Sequence, residues 1–177
     1  AGRVHKSVGN STTTPRDIMT RGECISVISA LCETVAARLR KSNYTAQGVS
    51  LYLKYNDLTG KSVQAVMPNY SDSASFICTH AIALLDKSYT PGKDKPLRGM
   101  GVSTFAIADN HSGRQLNLFD IENTNVEKNT GKLDKTVDLI RAKYGFNSIK
   151  YASSIKDAIL CDDLEDGDDD GYVPFKK

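Results

Sequence analysis

The sequence predicts an α+β fold, a β-α-β-β-α-β module with a small sheet and two helices on one face, plus a C-terminal tail with a short helix. Three observations carry this. Apolar residues recur at helical spacing in two stretches, Cys24 to Leu39 and Phe76 to Leu85. Val49, Leu51, Leu53 and Tyr55 alternate with Ser50, Tyr52 and Lys54, the period of a half-buried strand. Turn formers, Asn56 to Gly60, then join that strand to a returning run.

Residues 3–8 alternate weakly and predict a short first strand that Gly9 breaks. The run 10–14 is small, polar and rich in hydroxyls, and Pro15 suits the entry to a helical turn. The first helix is expected over 21–41, with Thr20 and Glu23 as a capping box and Arg38, Arg40 and Lys41 at the negative end of its dipole. Residues 62–67 form the second strand of the hairpin, which Pro68 stops. The second helix spans about 72–88, capped by Asp72 or Ser73. The last strand runs from Leu97 to Phe105, and its glycines at 99 and 101 let another backbone approach. Leu133, Val137, Ile140 and Tyr144 mark an amphipathic helix over about 132–144 that Gly145 ends. Two helices on one face leave the other face of the sheet free for nucleic acid or a protein.

The 177 residues are 40% hydrophobic and 25% charged, which excludes a wholly disordered chain. No apolar run approaches the ~20 residues that span a bilayer, and no signal peptide opens the chain. The absence of an initiator Met suggests a piece of a longer protein. The net charge of +2 hides a split: residues 1–119 hold 14 Lys and Arg against 8 Asp and Glu, and residues 120–177 hold 9 against 13. A basic body with an acidic tail fits a polyanion partner, or equally a solvated surface with a solubilising tail. Residues 162–170 carry seven acids and are expected to be disordered. The four cysteines, Cys24, Cys32, Cys78 and Cys161, form no C-x-x-C pair, and the three histidines, His5, His80 and His111, stand apart, so neither zinc nor a disulfide is expected. Cys24 and Cys32 read as core residues. No P-loop, dinucleotide-binding glycine motif or nucleophile triad is present.

Gln115-Leu116-Asn117-Leu118-Phe119 is the sharpest motif. Its flanks are polar, and its two large apolar residues at the end need a pocket, either on a partner or on the chain's own core. Docked fully, each would contribute roughly 1.5–3 kcal/mol. This pentapeptide resembles the sliding-clamp-binding peptide of bacterial polymerases and repair proteins. His5-Lys6-Ser7-Val8-Gly9 resembles the first strand, and Leu97-Arg98-Gly99-Met100-Gly101-Val102-Ser103 the last-strand motif, of the little-finger domain of Y-family translesion DNA polymerases. The three occur in that family's order over residues 5–119, and the long tail resembles the UmuC-like branch more than the DinB-like one.

The resemblance implies a little-finger DNA-binding domain over 1–110, a linker with the clamp-binding peptide over 111–121, a tail with the amphipathic helix over 122–160, and an acidic tail over 161–177. It also implies a grip on primer–template DNA through the phosphates. Candidate contacts are Lys6, Ser7, Gly9, Asn10, Ser11, Thr12, Thr13, Lys54, Lys61, Arg98, Gly101 and Ser103. Hydroxyls, amides and lysines suit phosphate oxygens, and glycines permit close approach. Asn10 and Ser103 stand where some relatives carry Arg. The clamp-binding residues are Gln115, Leu116, Asn117, Leu118 and Phe119. No catalytic residue, metal site or cofactor is expected in this piece, whose parent polymerase would hold Mg2+ between palm carboxylates upstream. The implied setting is the bacterial cytoplasm at the nucleoid, in SOS-response repair, with accessory proteins and no membrane. Two alternatives share the element order: an RNA-binding α/β module, which needs exposed aromatics and has only Tyr52 on the open strand face, and a protein-interaction domain.

Overall fold

The structure is a computed structural model that describes residues 7–109, 124–145 and 148–149. The element order is β1 (Ser7–Ile18), α1 (Arg21–Lys41), β2 (Tyr44–Tyr55), β3 (Gly60–Ser71), α2 (Ala74–Ser88), β4 (Leu97–Asp109) and α3 (Thr124–Tyr144). The strands form one antiparallel sheet in the order β1-β4-β2-β3. The expected β-α-β-β-α-β module is therefore present. Lys6, the peptide at 115–119 and the acidic run at 162–170 lie outside the described residues.

Helix α1 forms where its stripe and cap predict. Val27, Ile28, Leu31, Val35 and Leu39 are fully buried, together with Cys24 and Cys32. They meet Ile77, Ala81 and Leu85 of α2 and the inward side chains of the sheet, Val49, Leu51, Leu53, Met100 and Val102. Burying a large aliphatic side chain contributes about 1.5–3 kcal/mol, so this layer holds the helices on the sheet. The capping box is complete: the Glu23 amide donates to Thr20 Oγ1 at 3.3 Å, and the Thr20 amide donates to Glu23 Oε2 at 3.0 Å. The Met19 amide and Arg16 Nη1 also donate to Glu23, at 2.9 and 2.7 Å, which ties the end of β1 to the start of α1. Asn43 ends the α1 turn with φ of 56°, a conformation that Asn tolerates well. Helix α2 begins after Ser73, whose side chain makes no cap hydrogen bond.

Several strand limits differ from expectation. β1 does not stop at Gly9 but continues through residues 10–14. A Cβ on Gly9 would stand 2.7 Å from the Cβ of Ser103, so this glycine marks a close strand approach and not a break. Pro15 lies in β1, within the register shift between Thr13 and Ile18, and opens no helical turn. Pro68 likewise lies inside β3, where the register shifts between the pairs Ala46–Ser71 and Gly48–Val66. Both prolines sit on edge strands, where a missing N–H deprives no neighbour.

Helix α3 is longer than the expected 132–144, and Val137 and Ile140 of its apolar stripe are half-buried. Leu133 and Tyr144 are exposed. Contact with α1 runs through charge: Arg40 forks onto Asp138, with Nη2 donating to Oδ1 at 2.9 Å, and approaches Asp134 at 3.6 Å. Arg141 pairs with Glu33 of α1. The outer side of α1 offers charged groups here, so the polar flank of α3 turns towards it.

Burial pushes the Glu23 carboxyl up, but the amide of Met19, Arg16 and the Thr20 amide outweigh it and hold the pKa at about 2, against an ordinary 4.5. Glu23→Ala is expected to cost about 0.5–2 kcal/mol at neutral pH, as loss of a cap does, measured by urea denaturation. The wild-type advantage is complete above 4.5 and is lost as the pH falls towards 2, because the folded carboxylate then protonates. Urea midpoints of the two proteins should converge over that range.

Candidate nucleic-acid interface

Cross-strand partners in an antiparallel sheet point to the same side. The register therefore lays out the face opposite the helices as four rows across β1, β4, β2 and β3: Ser7, Phe105, Gly48 and Val66; then Gly9, Ser103, Ser50 and Gln64; then Ser11, Gly101, Tyr52 and Ser62; then Thr13, Gly99, Lys54 and Gly60. No position in the rows is a carboxylate. Hydroxyls and glycines fill most of them, and Ser50 Oγ lies 3.4 Å from Ser62 Oγ.

The glycines shape the relief. A Cβ on Gly99 would stand 2.7 Å from the Thr12 carbonyl oxygen, so β1 and β4 approach there as only glycine allows. The Phe105 ring covers Gly48, and the Tyr52 ring covers Gly60. A shallow depression of about 200 Å³ lies beside Gly99, lined by Ser11, Thr13, Tyr52 and Lys54 among others. Lys54 is among its lining residues, with no acidic residue in its own row or the next. The depression thus presents hydroxyl donors, an indole-free aromatic edge and one cation to an anionic ligand.

Of the candidates expected from sequence, Ser7, Gly9, Ser11, Thr13, Lys54, Gly101 and Ser103 share this face. Three do not. Asn10 pairs with Val102, and Thr12 with Met100, so both belong to the helix-side rows, although Thr12 also borders the depression. Lys61 pairs with Leu53 and donates from Nζ to the Ser88 carbonyl at 2.8 Å, so its charge serves the C-terminal end of α2. Hairpin position alone could not reveal which side Lys61 takes. Arg98 lies at the β1 irregularity, where Nη1 donates to the Pro15 carbonyl at 3.0 Å and stands 3.7 Å from Asp17, which offsets part of its charge.

Sequence reasoning missed Phe105, Ser62, Gln64 and Val66 on the open face. The signal was available for Phe105: a strict two-residue count from Gly99 through Gly101 and Ser103 reaches it.

The family model described as the impB/mucB/samB family C-terminal domain matches residues 5–118. The chain belongs to that family. This places it with the C-terminal little-finger domains of Y-family DNA polymerases. As an impB/mucB/samB C-terminal domain it is 29% identical over 154 residues to the DNA polymerase IV of Acetivibrio thermocellus, covering 86% of this chain and 37% of that one. It is 33% identical over 153 residues to the DNA polymerase IV of Pelotomaculum thermopropionicum, covering 86% of this chain and 36% of that one. The chain thus spans little more than a third of the length of these relatives. A solved structure, the insertion ternary complex of Dbh DNA polymerase, is similar with a TM-score of 0.52 at 17% identity, over 59% of this chain and 29% of that chain. That likeness shows the fold.

Gly99→Ala is expected to destabilise the impB/mucB/samB domain by about 1–3 kcal/mol, the usual cost of overpacking, because the new methyl meets backbone. Gly22→Ala, in α1 with nothing within 4 Å of its Cβ position, should stabilise it. Urea midpoints of the two variants should move in opposite directions.

Proposed function

We propose that this domain grips primer–template duplex through its phosphates on the open sheet face, and tethers an error-prone translesion DNA polymerase to the sliding clamp through Gln115–Phe119. The observation that carries the DNA part is the carboxylate-free face of hydroxyls and glycines with Lys54 at its centre of charge. Such a surface reaches phosphate oxygens with its hydroxyls and the Lys54 ammonium and leaves base reading to pairing. Family membership supports the same reading.

The clamp part rests on the pentapeptide in the sequence. A peptide of modest affinity, tethered to a domain already on DNA, raises the effective concentration of the enzyme at the primer end. Catalysis, with Mg2+ between palm carboxylates, belongs in this proposal to another part of the parent polymerase. Repair within the SOS response, accessory proteins and a place in the bacterial cytoplasm at the nucleoid complete it. Among the described residues, no helix is long and apolar enough to cross a membrane. The UmuC-like placement rests on tail length, while the relatives named above carry the name DNA polymerase IV.

Two rings on the open face, Tyr52 and Phe105, favour a second reading as an RNA-binding module. The Ser50–Ser103 row separates them, and both lie over glycines. Tighter binding of single-stranded RNA than of primed duplex DNA would select that reading.

Lys54→Glu is expected to weaken duplex binding across all sequences and to reduce the log–log salt slope by about 0.9 for the lost phosphate contact. Lys61→Glu, on the opposite face, should leave the slope unchanged. Fluorescence anisotropy over a salt series measures both, and equal effects of the two would overturn the assignment of the face. For the clamp, Leu118→Ala with Phe119→Ala should abolish binding in titration calorimetry while the thermal unfolding midpoint stays put. Unchanged clamp affinity would remove the peptide from the mechanism.

A further inference from the structure

Helix α3 follows the pentapeptide closely and is fastened to α1. Residues 120–123 alone separate Phe119 from Thr124, the first residue of the helix. Two arginines fasten its C-terminal half. Arg40 of α1 donates from Nη2 to Asp138 Oδ1 at 2.9 Å, stands 3.6 Å from Asp134, and donates from Nη1 to the Asp72 carbonyl at 2.8 Å. Arg141 of α3 pairs with Glu33 of α1 and donates to the Ile149 carbonyl at 3.0 Å. Val137 and Ile140 are half-buried, while Leu133, Leu139 and Tyr144 are exposed. Among the described residues, the buried core contains no residue of α3.

We propose that α3 is a releasable latch on the clamp-binding pentapeptide: its release from α1 raises affinity for the sliding clamp, and clamp binding in turn releases α3. The inference rests on the reading of Gln115–Phe119 as the clamp peptide. Two features make the latch releasable. The core is built without α3, so α1, α2 and the sheet stay joined when it leaves. Ion pairs withdrawn from water lose in hydration about what they gain in attraction. Arg40 and Arg141 therefore fix where α3 sits without the apolar burial that fixes α1 and α2.

The latch acts through chain length. A chain spans at most about 3.6 Å per residue, so docked α3 keeps Phe119 within about 18 Å of Thr124. Gln115 likewise stays within about 22 Å of Asp109, the end of β4. With α3 docked, the peptide is tied at both ends, one of them to a helix fastened on the helix side of the sheet. A clamp that takes Leu118 and Phe119 into a pocket then has to accommodate α3 and α1 at that distance. Once α3 leaves α1, only the tie to β4 limits the approach. The coupling is reciprocal: the factor that separates the clamp affinities of the released and docked states is also the factor by which clamp binding shifts α3 towards release.

Hydrogen exchange of the full chain, with and without a saturating bacterial sliding clamp, tests the latch. Peptides from α3 should exchange slowly in the free chain and about fivefold faster or more with the clamp, the low end of ordinary coupling between two sites. Peptides from α1 and α2 should keep their rates. Asp138→Lys and Arg141→Glu set like charges against Arg40 and Glu33, and both lie outside the core. Each should quicken exchange in α3 alone and tighten clamp binding about fivefold or more in titration calorimetry. Three results would overturn the latch: α3 amides that exchange as fast as an unfolded chain before clamp is added, α3 rates that the clamp leaves unchanged or slows, or variants whose α3 exchange quickens while clamp affinity stays put. The chain with Leu118→Ala and Phe119→Ala separates this inference from the reading beneath it. If that chain binds the clamp as the wild type does, the peptide assignment falls and the latch with it. If it loses binding while Asp138→Lys binds as the wild type does, the latch alone falls.

Discussion

β4 is hydrogen-bonded along both sides, to β1 and to β2, and the alternation of its side chains sets both surfaces of the domain. Met100 and Val102 point into the helix layer and are almost fully buried. Gly99, Gly101 and Ser103 point the other way and leave little above the backbone. A shift of one residue in this pairing would send the apolar set to solvent and the small set into the core. The burial energy of the core therefore holds the open face in register. That face has no buried core of its own, so its geometry is borrowed from the other side of the same strands.

The charges divide in the same way. Arg38 donates to the Gly9 carbonyl, Lys61 to the Ser88 carbonyl, and Arg40 to Asp138 and the Asp72 carbonyl. These cations are committed on the helix side, where they satisfy carbonyls or hold α3. Lys54 remains on the open face. A count of lysines and arginines along the chain overstates the charge that an anionic ligand on the sheet meets. A weakly charged face of hydroxyls suits contact that does not depend on base sequence.

The contact between α3 and α1 includes charge pairs drawn out of water. Arg40 is 11% exposed and Arg141 10% exposed in their pairs with α3 and α1 acids. Charge pairs withdrawn from water to that extent depend on both partners being present, since removal of one leaves the other buried and uncompensated. Leu133 and Leu139, by contrast, stay on the outside of the helix.

Local signals in the sequence determined much of this protein. The α1 cap at Thr20 and Glu23, the two helical stripes, the hairpin and the element order all follow from interactions between residues close in the chain, whose periods survive in any context. The motifs at residues 5–9 and 97–103 were legible for the same reason, as continuous strings. Tertiary structure decided what depends on partners distant in sequence. Pairing with Ser103 and its neighbours turned Gly9 and the hydroxyl run into strand, and edge position made Pro15 and Pro68 tolerable. Side of the sheet separated Lys54 from Lys61. A one-dimensional pattern gives a residue its period but not its neighbour across the fold, and here the neighbour decides which side chains meet solvent.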